Sequence, residues 1–152
     1  MAKYALLIGV SEYGEGIPPL SAPPNDVKAM TKVLTNPAMG DFTEVVPLIN
    51  PNSLSMRKAI QKLFKRAKRE DLILFYFSGH GLTDDDDHLY FTNKETEKEF
   101  FQATAIPASF IQSQSRNSYC KRQVLILDSW DRDMNQVTHG EKLEGLRMLY
   151  EK

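Results

Sequence analysis

The stretch Asp71–Gly81, DLILFYFSGHG, decides the fold and raises the question of function. Its first seven residues are almost wholly apolar, which predicts a strand over Asp71–Phe77 that is buried on both faces. His80 follows between two glycines, which permit close backbone approach. Because functional residues gather at the carboxyl ends of strands in parallel sheets, we interpret His80 as a site residue. The alternative is a loop histidine that caps a helix or fills a turn.

The rest of the chain alternates strand and helix patterns. Further strands are predicted at Ala5–Val10, Thr43–Ile49 and Gln123–Asp128, and a short hairpin element at 88–93. Helices are predicted after Asn25 or Asp26, from Asn52, and over 107–114. Pro47 places its strand at an edge. This alternation predicts an α/β fold with a mostly parallel sheet and helices on both faces.

Composition limits the classes of function. The 152 residues suffice for one domain, and a net charge of −1 gives no general attraction to nucleic acid or anionic membrane. The N-terminal apolar run is too short to span a bilayer, and no small-residue cleavage site follows it. The single cysteine, Cys120, excludes an internal disulfide and suits a reducing compartment, so we expect a cytoplasmic protein.

Three segments together resemble the large-subunit half of caspase-like cysteine peptidases, in the prokaryotic and metacaspase branch. They are YALLIGVSEYGEGIPPLSAPPNDV at 4–27, DLILFYFSGHG at 71–81 and QVLILDSW at 123–130. The resemblance covers residues 3–129 and implies a caspase-like three-layer fold that lacks the small-subunit part. It divides the chain into a large-subunit domain, 1–129, and a divergent C-terminal tail, 130–152.

The resemblance implies a cysteine–histidine dyad that cleaves peptide bonds. His80 matches the family's histidine, and Gly81 matches the glycine whose N–H helps to hold the oxyanion. The nucleophilic cysteine lies two residues after the aspartate that ends the last strand, and this position is Trp130. The interval, 130 − 80 = 50, agrees with the spacing of histidine and cysteine in caspases. The resemblance therefore implies a chain without its nucleophile.

Neither possible substitute satisfies the geometry. Cys120 precedes the strand Gln123–Asp128, whose six residues span about 20 Å, so it should lie near the opposite edge of the sheet. Ser129 lies at the correct edge but one position early, and the alternation of side chains should aim it differently. We therefore predict an inactive peptidase. The alternative is a pseudo-peptidase that acts as a regulatory or protein-interaction module.

The tail departs from the family directly after Trp130, where Asp131-Arg132-Asp133 follows. An altered reading frame, a truncation and a genuine pseudo-enzyme remain open explanations. Leu143, Leu146 and Leu149 have helical spacing, but no further strand is predicted. The strand 123–128 should then lie at an open edge, which favours association with a second copy or a homologous caspase-like subunit.

Asp26 and Asp128 match the two acidic positions of the first specificity pocket in metacaspase-like members. Two carboxylates suit an Arg or Lys side chain, so the resemblance implies peptide or protein substrates with basic residues. The alternatives are a helix N-cap for Asp26 and a strand-end turn for Asp128.

Two charged segments receive simpler interpretations. Some metacaspases bind calcium near the position of Asp84 to Asp87, but the spacing here is not that of an EF-hand. We interpret this run as a solvated acidic loop and predict no metal or other cofactor. The basic face of the helix around Arg57–Arg69 is interpreted as solvated, because no aromatic residues interleave there, and we expect no nucleic-acid or membrane partner.

Overall fold

The computed structural model describes the backbone of residues 1–130 and the side chains of residues 1–128. The elements are β1 (Lys3–Gly9), α1 (Pro23–Thr35), β2 (Glu44–Ile49), α2 (Ser53–Arg66), β3 (Leu72–Thr83), β4 (Leu89–Phe91), α3 (Phe101–Thr104), β5 (Ile106–Pro107), α4 (Ala108–Asn117) and β6 (Arg122–Trp130). The tail leucines Leu143, Leu146 and Leu149 lie outside the described residues. Within the described part, no helix combines the length and the apolar character that a bilayer span requires.

A mostly parallel sheet forms the centre of the molecule. β1 pairs with β2 on one side and β3 on the other, and β6 pairs with the far side of β3, all in parallel. The small strands β4 and β5 continue the sheet in antiparallel fashion from the end of β3. The expected α/β class is confirmed, and β2 lies at an edge as Pro47 predicted.

Side-chain alternation along β3 divides the core into two layers. Ile73, Phe75 and Phe77 lie in the larger core, to which α2 and α4 contribute. Leu74 and Tyr76 point to the opposite face and pack in a smaller core with α1. The larger core also contains the buried residues of α2: Met56, Ile60, Leu63 and Phe64. Helices therefore cover both faces of the sheet, which gives three layers.

β3 is longer than the sequence predicts. The apolar run ends at Phe77, yet the strand continues to Thr83. The extension has partners on both sides, because β6 pairs as far as His80 and β4 pairs with Gly81–Thr83. Pairing with distant segments outweighs the low strand propensity of glycine and serine. His80 is thus a strand residue, and its interpretation as a turn or helix-capping residue is wrong.

The helix starts confirm one prediction and correct another. Asn52 caps α2 by accepting the Ser55 N–H at 2.8 Å, as predicted. Asn25 and Asp26 do not cap α1, which begins earlier, at Pro23, after Ala22. Proline suits the first turn of a helix because it has no N–H to leave unpaired.

The predicted helix over 107–114 is displaced towards the C-terminus. α4 spans Ala108–Asn117, and Pro107 belongs to β5. The two residues of β5 and the four of α3 are too short to produce a periodic pattern in the sequence.

Candidate active site

The parallel register brings the candidate residues to one edge of the sheet. In β3 and β6, Ser78 lies opposite Asp128, and His80 lies opposite Trp130. Neighbouring strands are about 4.8 Å apart, so positions 80 and 130 are direct neighbours. The predicted juxtaposition of His80 and Trp130 is confirmed at the level of the backbone. Ser129 lies opposite Gly79, one register step earlier.

Cys120 lies at the other end of these strands. Its Sγ is 3.2 Å from the carbonyl oxygen of Asp71 and 3.3 Å from that of Arg122. These residues flank the amino ends of β3 and β6. Burial raises the pKa of the Cys120 thiol, which disfavours the thiolate that a nucleophile requires. The placement of Cys120 away from the candidate site is confirmed.

His80 is buried, with 2% of its surface exposed, and its ring is held by a backbone group. Nε2 lies 2.9 Å from the carbonyl oxygen of Pro18, in the loop between β1 and α1. Since a carbonyl oxygen only accepts, Nε2 carries the proton, and Nδ1 is the acceptor nitrogen of the neutral ring. Sequence analysis missed Pro18, because a backbone carbonyl leaves no side-chain signature.

The ladder between β3 and β4 sets the direction of the Gly81 amide. The Thr92 N–H donates to the His80 carbonyl, and the Asp84 N–H donates to the His88 carbonyl. Hydrogen-bonded and non-hydrogen-bonded pairs alternate in an antiparallel ladder, so Gly81 opposite Phe91 is a non-hydrogen-bonded pair. The Gly81 N–H therefore points away from β4, towards the β6 side. Position 130 lies on that side.

Asp26 and Asp128 lie near one another on the α1 face of the sheet. Ser78 Oγ donates to Asp26 Oδ2 at 2.9 Å, and Asp128 occupies the register position opposite Ser78. Burial raises the pKa of the adjacent Tyr76 to about 12, and the negative charges of Asp26 and Asp128 add to this effect. The carboxylates of Asp26 and Asp128 thus both lie close enough to Tyr76 to affect its phenol, near the C-terminal ends of the strands.

Neither alternative role for these aspartates holds. Asp26 lies inside the first turn of α1 rather than at its N-cap, and Asp128 lies within β6 rather than in a turn. Sequence analysis missed Tyr76 and Ser78. Both residues alternate with the apolar residues of the larger core, and a face assignment of the strand could have identified them.

The acidic loop between β3 and β4 is organised by its first aspartate. Asp84 Oδ1 accepts the N–H groups of Asp86 and His88, each at 2.9 Å, and the Tyr90 hydroxyl donates to Oδ2 at 3.3 Å. Asp84, Asp86 and His88 place their side-chain ligand atoms within 4.8 Å of one another. The three side chains lie close together because these hydrogen bonds to Asp84 close the loop. Asp87 completes the turn with φ = 63°.

Comparison with known families identifies the class of protein. The family model described as a caspase domain matches residues 2–144, which is nearly the whole chain. The chain therefore belongs to the caspase-domain family of cysteine peptidases, as its resemblance implied. No curated protein matches it.

Proposed function

We propose that this chain is a catalytically inactive caspase-like domain that retains the means to recognise basic peptide side chains. The observation that carries the proposal is the register of β3 and β6, which sets Trp130 opposite His80. Family chemistry at this position requires a thiolate that attacks the peptide carbonyl carbon and expels the amine. An indole cannot form this acyl intermediate.

The remaining catalytic geometry supports descent from an active peptidase. A histidine with Nε2–H fixed on Pro18 has Nδ1 as its acceptor nitrogen, as a general base needs. The Gly81 N–H is directed to the β6 side, where it faces the backbone of position 130.

The acidic pair supports recognition of Arg or Lys. Asp26 is half-buried and is oriented by the hydroxyl of Ser78, whereas Asp128 is exposed and accessible to a ligand. A guanidinium group can form charge-assisted hydrogen bonds with two such carboxylates. We therefore infer that a peptide with a basic residue would bind across the carboxyl edge of the sheet, as in metacaspase-like members.

The proposal is tested first by turnover. The purified chain should not cleave fluorogenic peptides that end in Arg or Lys. Turnover that disappears in Ser129→Ala would contradict the proposal and identify a serine nucleophile. Turnover that survives both Ser129→Ala and His80→Ala would indicate a contaminating peptidase, and the preparation would be repurified.

A thiol placed at position 130 tests the site itself. In a Cys120→Ala background, the Trp130→Cys thiol should react with iodoacetamide at least tenfold faster than free cysteine at pH 6.5, because His80 would stabilise its thiolate. His80→Ala in the same background should abolish the advantage. If the thiol at position 130 reacts no faster than free cysteine, with His80 present or replaced, then position 130 and His80 do not form a dyad site.

Binding tests the acidic pair. A fluorescent peptide amide that ends in Arg should bind, and Asp128→Asn should weaken its binding about tenfold. A peptide in which citrulline replaces Arg is the neutral control. Equal affinity for both peptides would contradict charge recognition.

A second function, as an interaction module, is favoured by the far edge of the sheet. Among the described residues β6 pairs with β3 alone. Val124 and Ile126 on this strand are 38% and 37% exposed. Unpaired backbone groups beside apolar side chains are typical of a surface that pairs with another strand. We propose a second copy of this chain as the occupant, with two β6 strands paired antiparallel about a two-fold axis.

A further inference from the structure

Tyr13, in the loop between β1 and α1, contacts His80 in two ways. Its hydroxyl oxygen accepts the His80 backbone N–H at 2.9 Å. Its ring packs edge-to-face against the imidazole, with ring centroids 4.9 Å apart. Tyr13 therefore touches both the backbone and the side chain of the histidine, from the loop that also carries Pro18.

The hydroxyl of Tyr13 is fixed by further contacts. It donates to the Val10 carbonyl at 3.0 Å, and Thr92 Oγ1 lies 2.9 Å away. The Thr92 hydroxyl has a single proton, which it donates to the His80 carbonyl at 2.7 Å. Both backbone polar groups of His80 are thus held, one by Tyr13 and the other by Thr92.

Gly79 makes this arrangement possible. A Cβ added at Gly79 would lie 2.9 Å from the Tyr13 hydroxyl oxygen and 3.0 Å from the Phe77 ring. Real Cβ atoms essentially never approach so closely, so a side chain at position 79 would displace the phenol. Burial raises the pKa of Tyr13 to about 12, so its hydroxyl keeps the proton that it donates to Val10 even in mildly alkaline solution.

We propose that Tyr13 is a positioning residue for His80. By tying the loop to the backbone of His80, it keeps the Pro18 carbonyl against Nε2 and so selects the tautomer in which Nδ1 is the acceptor. The inference rests on the proposed function for the role of His80. It extends that function by assigning the control of the imidazole to a residue outside the predicted dyad.

The tautomer of His80 can be measured directly. The chain is labelled with ¹⁵N-histidine and observed by NMR at about pH 8.5, two units above the ordinary pKa of histidine. His80→Asn assigns the signals. The unmodified chain should give one pyrrole-type Nε2 and one pyridine-type Nδ1 signal for His80. In Tyr13→Phe the two ring nitrogens of His80 should instead have similar, averaged ¹⁵N shifts, because both tautomers are then populated. The backbone amide hydrogen of His80 should exchange with solvent at least tenfold faster.

Two variants control the experiment. Tyr90→Phe removes a hydroxyl that contacts Asp84 rather than His80, and it should leave the tautomer unchanged. Gly79→Ala retains the phenol but should displace it, and it should reproduce the effect of Tyr13→Phe. It also provides the test if Tyr13→Phe does not fold.

The outcomes are distinguishable. Faster amide exchange with an unchanged tautomer would overturn the inference, because Tyr13 would then stabilise the strand without positioning the ring. An ordinary alkylation rate at position 130, with the tautomer change present, would count against the proposed function alone.

Discussion

Asp71 connects the chain terminus, the turn before β3 and the strand itself. Its carboxylate accepts N–H groups from Ala2 at 2.9 Å and from Lys68 at 2.8 Å. These hydrogen bonds, first from Lys68 and then from Ala2, hold the pKa of Asp71 below its ordinary value. A carboxyl group whose pKa is lowered by folding stabilises the fold when ionised. Stability should therefore be lost as the pH falls from the unfolded pKa of about 3.9 through the folded one.

We expect Asp71→Asn to lower the free energy of unfolding at pH 7, because an amide replaces the charged acceptor. The difference from the unmodified chain should shrink as the pH falls below the unfolded pKa of about 3.9, because the carboxyl group is then protonated on unfolding and its ionised form no longer favours the fold in full. Urea denaturation at several pH values measures this. Asp85→Asn, at an exposed carboxylate of the acidic loop, is the control and should have no such effect. A difference that does not shrink as the pH falls below this unfolded pKa would show that the charge is not responsible.

At the scale of elements, the two long helices begin in different ways. α2 has a side-chain cap from Asn52, whereas α1 has proline in its first turn and no side-chain cap. Asn52→Ala should lower the free energy of unfolding by about 1 kcal/mol, the usual value of an N-cap. Asn25→Ala is the matched control, and it should be neutral because Asn25 lies inside α1. Chemical denaturation compares them, and an equal loss in both would contradict the assigned helix starts.

The elements also mark what could be predicted from the sequence. The strands β1, β3 and β6 were predictable because apolar runs identify buried parallel strands wherever they pair. The last residues of β3 were not, since their partners come from 89–91 and 122–130. His80 and the two aspartates were found through side chains with a recognisable pattern. Pro18 acts through its carbonyl, and Tyr13 lies in a turn-rich stretch without periodicity, so neither gave a signal.

At the scale of the whole molecule, the parallel part of the sheet has two edges of different character. β2 forms one edge and contains Pro47, which has no N–H to offer a partner. Among residues 1–130, β6 forms the other edge, and it has no proline. Val46 on β2 and Ile126 on β6 are both 37% exposed, which makes them a matched pair for testing the edges.

We expect the chain to self-associate through β6 as its concentration rises. Light scattering over a concentration series should show the apparent mass increasing towards that of a dimer. Ile126→Lys should weaken the association at least tenfold, because a buried charge opposes strand pairing. Val46→Lys should leave it unchanged. A monomer at all concentrations, or an equal effect of both lysines, would contradict the β6 interface.

The late place of β6 in the sequence leaves β3 without this neighbour for part of the chain's synthesis. β3 is complete at Thr83, but β6, which pairs with one side of it, ends 47 residues later, at Trp130 (130 − 83 = 47). At about 5–20 residues per second, the ribosome needs roughly 2 to 9 seconds to supply it. During this interval the apolar flank of β3 is open to other nascent chains and to chaperones. A slow codon between 84 and 121 would prolong this exposure, so synonymous changes there should alter the yield of native protein without changing a single residue.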